Sequence, residues 1–192
     1  MRIHYFKAAV AAAATFFSGA ALAHPGYAHG VLAGVLHPLL GLDHLLAMLA
    51  VGIWAARLGG RARWLMPASF LVCMALAAGI GMAGIAMPLA EGGIAASVLL
   101  AGLLIASPVI MAPALGGLLV ALFALAHGYA HGMEMPALAS PWLYGAGFIL
   151  ATATLHAAGL FVGGRLQQQK WGWTAAGSAI AACGGWMLSA VA

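Results

Sequence analysis

The sequence predicts an all-α integral membrane protein, a bundle of about six transmembrane helices behind a cleaved N-terminal signal peptide. Three observations predict it. Of 192 residues, 65% are hydrophobic and only 5% charged, with a mean hydropathy of +1.07, values outside the range of soluble domains. The apolar residues fall into runs of about 20, the length a helix needs to cross the hydrocarbon core. The few charges cluster between those runs, as loop residues should.

Residues 1–23 read as a secretory signal. Arg2 and Lys7 give a positive start, Ala8 to Phe17 an apolar stretch, and Ala21-Leu22-Ala23 a small-residue cleavage site. Cleavage leaves residues 24–192 as a single transmembrane domain that begins at His24 on the outer side of the membrane. Six spans are expected at 32–55, 65–87, 92–109, 113–134, 142–163 and 172–191, the third short and joined tightly to the fourth past Pro108 and Pro113. A re-entrant segment is the alternative at that connection. Arg57, Arg61, Arg63, Arg165 and Lys170 then fall on the cytoplasmic side, and Glu91 is expected in an outer loop. The six tryptophans fall near span ends, where interfacial anchors sit, and spaced glycines such as Gly79, Gly81 and Gly84, or Gly128 and Gly132, read for the most part as helix-packing positions. Cys73 and Cys183 are isolated in apolar runs, which excludes a CxxC motif or zinc ribbon. The net charge of +4 reads as topology, because no basic stripe follows any segment; no nucleic acid is expected as a partner.

Against this background the ionisable residues stand out, since such groups inside membrane helices are costly and face an interior path. The first group lies in HPLLGLDHLLAMLAVG, His37 to Gly52. Pro38 suits a first helical turn, which would put His37 at the helix entrance, and His37 and His44, seven positions apart, share a face. Asp43 would act from the flank, as a ligand or to orient an imidazole. The second group is AHGYAHGME, in which His127, His131 and Glu134 occupy one helix face at i, i+4 and i+7. His156 in GFILATATLHAAG shares a face with Thr152, and His24 and His29 lie in the mature N-terminal tail. Imidazole and carboxylate together form a ligand set for a divalent transition metal. Hydrogen-bonding glue between helices would explain one such histidine but explains two clusters poorly.

These three regions, in this order and spacing, resemble the signature regions of the HupE/UreJ family of nickel permeases. A related histidine-aspartate-histidine signature in nickel/cobalt transporters is one residue shorter. The resemblance implies a secondary transporter, not an enzyme, for Ni²⁺ or Co²⁺ as transported substrate. It implies no permanently bound cofactor, and hydrogenase or urease maturation proteins as partners beside the metal ion and the lipid bilayer. It implies a metal-handling role for His37, Asp43, His44, His127, His131 and Glu134, with His24, His29 and His156 as further candidates. The expected location is the bacterial inner membrane, multi-pass, with the mature N-terminus periplasmic. No Walker A sequence occurs, so ATP hydrolysis by that route is excluded. Two other readings compete: a membrane metalloenzyme or haem protein, and a sensor or nickel-enzyme assembly factor that binds metal without moving it.

Overall fold

A computed structural model describes residues 30–137 and 139–191; the expected signal peptide, His24 and His29 lie outside the described residues. The described residues form seven helices and no strand. They are α1 (Val31–Leu40), α2 (Leu42–Leu58), α3 (Ala62–Met82), α4 (Ala90–Ala106), α5 (Pro113–Met133), α6 (Pro141–Leu166) and α7 (Gly172–Val191).

The expected straight span over 32–55 is broken. At Gly41 the backbone is extended, with φ −82 and ψ 115, and α1 meets α2 at 85°. Pro38 lies inside α1, where it removes a backbone donor just before the break. His37 therefore sits in the last turn of α1, not at a helix entrance. A Cβ at Gly41 would lie 2.9 Å from Asp43 Oδ1 and 3.2 Å from His44 Nδ1, so the bend leaves its space to that side-chain pair. The ten residues of α1 rise about 15 Å, half of the hydrocarbon thickness. At 17 residues α4 is also short. Helices α3, α5, α6 and α7 are long and apolar enough to cross, and the bent α1–α2 pair raises the count to five. By length and composition four or five of the expected six spans are met among the described residues, and α4 stands where the short third span was expected, in a multi-pass membrane protein.

Lipid-facing surface is evident. Leu76, Leu118 and Leu150 are each more than half exposed, which water would penalise and lipid does not. Trp64, Trp142, Trp171 and Trp186 are exposed as anchors should be. Trp54 corrects the expectation: it is fully buried in the core. Trp173 packs beneath the Arg57 guanidinium, 5.6 Å from its ring centre. Arg57 also donates to the carbonyls of Ile105 and Ser107, closing off the last turn of α4.

Glycine sets the packing. In each closely packed pair, α1 with α6, α2 with α6, α3 with α5 and α4 with α7, glycines on both helices press against opposing backbone. Gly34 faces the Tyr144 carbonyl and Gly147 that of Val31; Gly52 and Gly159 face one another. Gly128 and Gly132 abut the carbonyls of Met74 and Ala78, while Gly81 abuts that of Tyr129. Any Cβ there would collide with backbone, so close approach requires glycine. Gly79 and Gly84, expected as packing positions too, meet nothing.

The bundle is polarised. Arg57, Arg61, Arg63, Arg165 and Lys170 lie at the end where α2 and α6 finish and α3 begins. Asp43, Glu91 and Glu134, the only acidic residues of the chain, lie at the other end.

Candidate metal centre

The break at Gly41 swings the end of α1 over the start of α2, and both meet the C-terminal turns of α5. Ring centres lie 5.9 Å apart for His37 and His44, 4.7 Å for His37 and His131, and 4.3 Å for His44 and His131. One ring nitrogen from each of the three lies within 4.8 Å of the others. Nitrogens sharing one divalent ion at about 2.1 Å lie at most about 4.2 Å apart, so small side-chain rotations would close this set on an ion. His37 and His44 meet because the chain bends, not because of the i, i+7 relation expected for an unbroken helix.

The buried nitrogens have few other partners. His44 Nε2 and both nitrogens of His131 are buried without a hydrogen bond, and His131 is fully inaccessible. Leaving such groups unpaired costs about 1–3 kcal/mol each, and a bound cation relieves that cost. Asp43 takes the orienting role. Its Oδ1 accepts from the His44 backbone N–H and from Nδ1, both at 2.8 Å. A carboxylate can only accept, so Nδ1 carries the proton and Nε2 presents its lone pair inward.

The other expected residues are distributed around this core. Glu134 caps α5 at the rim, with Oε2 3.0 Å from His37 Nε2. That hydrogen bond holds the Glu134 carboxyl below its ordinary range. His127 lies one turn deeper than His131, fully buried, and does not join the three-nitrogen set. Its Nε2 is 2.9 Å from Ser97 Oγ, whose own hydroxyl donates to the Ile94 carbonyl at 2.7 Å. Ser97 must therefore accept from Nε2–H, which leaves His127 Nδ1 as a free base. His156 is buried still deeper, against the edge of Phe70.

Two residues escaped the sequence reading. Ser97 was a lone hydroxyl in an apolar run, a signal that could have been followed. Glu91, expected in an outer loop, lies in the first turn of α4 and lines a cleft of about 440 Å³ with Asp43, Glu134, Ile94, Trp186 and Met187. All three carboxylates of the chain thus face one cleft beside the histidines.

Residues 12–187 match the family described as HupE / UreJ protein. The chain belongs to the HupE/UreJ family. It is 43% identical over 157 residues to Protein HupE of Rhizobium leguminosarum bv. viciae, covering 81% of this chain and 82% of that protein. No solved structure matches. The HupE/UreJ match spans the broken helix, the α5 histidines and His156 alike.

Proposed function

We propose that this chain is a secondary transporter taking Ni²⁺, and Co²⁺ as a second substrate, across the inner membrane toward nickel enzymes such as hydrogenase or urease. The observation that carries the reading is the convergence of His37, His44 and His131 beside a cleft holding every carboxylate of the protein. Carboxylates attract the dication and offset its charge, and imidazoles select a transition metal over Mg²⁺ or Ca²⁺. With the basic residues at the opposite end, the positive-inside rule turns the histidine end and the mature N-terminus toward the periplasm. Inward movement of a dication then gains about 4.6 kcal/mol per 100 mV from the membrane potential.

The test is accumulation of radiolabelled nickel in a bacterium lacking other nickel uptake, with cobalt and zinc as competitors. Accumulation above the empty-vector control supports transport. Robust expression without accumulation makes the chain a metal-binding assembly factor or haem protein, and a visible haem spectrum in purified protein would select the latter.

Two variants probe the surroundings of the three histidines. Asp43→Ala should lower uptake about 10–100-fold, the usual cost of losing an orienting partner of a metal-binding imidazole. Glu91→Gln should behave like Glu134→Gln, reducing uptake most at low nickel, because both carboxylates line the cleft. Normal uptake kinetics for Glu91→Gln would remove it from the entry route.

A further inference from the structure

Below the three histidines lies a second group of donor atoms that this assignment does not use. Thr152 on α6 is fully buried, and its Oγ1 lies 3.3 Å from the Met48 sulfur of α2 and 3.9 Å from the Met74 sulfur of α3. Both methionines are also fully buried. His156 follows Thr152 by one helical turn on the same face of α6. Side chains in a helix lean toward its N-terminus, so the His156 imidazole is directed back toward the level of Thr152. His156 is 1% exposed, and neither of its ring nitrogens has a hydrogen-bond partner.

A packing histidine would place at least one nitrogen on a neighbouring carbonyl or hydroxyl. At His156 neither nitrogen does, and the ring stands against an aromatic side chain. Phe70 stands edge-on to its ring at 5.1 Å between centres, and Gly52 of α2 lies against its backbone carbonyl. Methionine is flexible enough to turn its sulfur from a hydroxyl to an ion without moving the backbone. Thr152 holds the two sulfurs near one point meanwhile.

We propose that Met48, Met74 and His156 form a second, weaker metal station, a two-thioether and one-imidazole set for a soft or borderline cation, deeper in the bundle than the three histidines. It rests on the transport reading and extends it. The donors are neutral, and the carboxylates lie at the far rim, so this station holds a dication weakly. Weak holding suits an ion that must leave. Thioether sulfur also discriminates against hard cations such as Mg²⁺ and Mn²⁺, which prefer oxygen.

The test uses the full chain purified in detergent, with radiolabelled Ni²⁺ in equilibrium dialysis, beside nickel accumulation in cells. The wild type should bind a tight and a weak equivalent. Met48→Leu/Met74→Leu, which keeps side-chain volume, should lose the weak equivalent, keep the tight one and accumulate nickel at least tenfold more slowly. His156→Gln should do the same. A retained tight equivalent shows that these variants are folded. Retention of both equivalents with uptake within twofold of wild type overturns the station while leaving the outer site standing. A wild type with only one equivalent also overturns it. Loss of the tight equivalent in His44→Ala, with the weak one kept, separates the two sites. A tight equivalent indifferent to His44 would instead count against the outer assignment. X-ray absorption at the nickel edge gives a second readout: sulfur scattering at two equivalents of metal, absent from the double leucine variant. Only nitrogen and oxygen neighbours at both loadings would overturn the proposal.

Discussion

Alanine at His44 or at His131 abolishes nickel accumulation, an expected fall of at least about 30-fold at matched expression, within the 10–100-fold typical of far gentler perturbations around metal ligands. Each substitution removes one of three nitrogens that lie within 4.8 Å of one another. At His44 it also leaves Asp43 without the imidazole whose Nδ1 it binds at 2.8 Å. The measurement is initial uptake of radiolabelled nickel against an immunoblot of the membrane fraction. Uptake above one third of wild type in either variant would remove that histidine from the metal route. His127→Ala should be milder, because its ring sits outside the three-nitrogen set and bonds Ser97.

Valine at Gly128 is expected to have a still broader effect, loss of the folded bundle itself. Its Cβ would run into the Met74 backbone carbonyl, and α3 and α5 would have to separate along their whole contact. Overpacking of this kind costs about 1–3 kcal/mol even where side chains can yield, and here the obstacle is backbone. The check is the monodisperse fraction after detergent extraction together with thermal unfolding. Gly79→Ala is the matched control: nothing lies within 4 Å of a Cβ there, and alanine in a helix is about 0.5–1 kcal/mol better than glycine. Wild-type extraction of Gly128→Val would mean that the α3–α5 contact is not what holds His127 and His131 in place.

The two predictions bracket what could be read from the chain. Gly128 and Gly132 were legible as packing residues because glycine beside a histidine stripe in an apolar run has few other uses. The histidines and carboxylates were legible because ionisable groups at membrane depth require a reason. Glu91 was misplaced, since a carboxylate beside Leu89 and Gly92 reads as loop until α4 is seen to begin there. Trp54 was misread by the same logic: proximity to a span end in sequence says nothing about which side of the helix faces lipid.

By itself the sequence determined the membrane class, the end-to-end separation of basic and acidic residues and the family-like spacing of three motifs, because hydropathy, charge and spacing are local properties. Only the tertiary structure decided which donors meet. An 85° bend at Gly41 brings His37 beside His131, which lies 94 positions along the chain, while the packing of α4 on α5 pairs His127 with Ser97. That outcome depends on backbone direction at one residue and on how closely glycine lets two helices approach. Helical periodicity, which assumes an unbroken axis, carries no information about either.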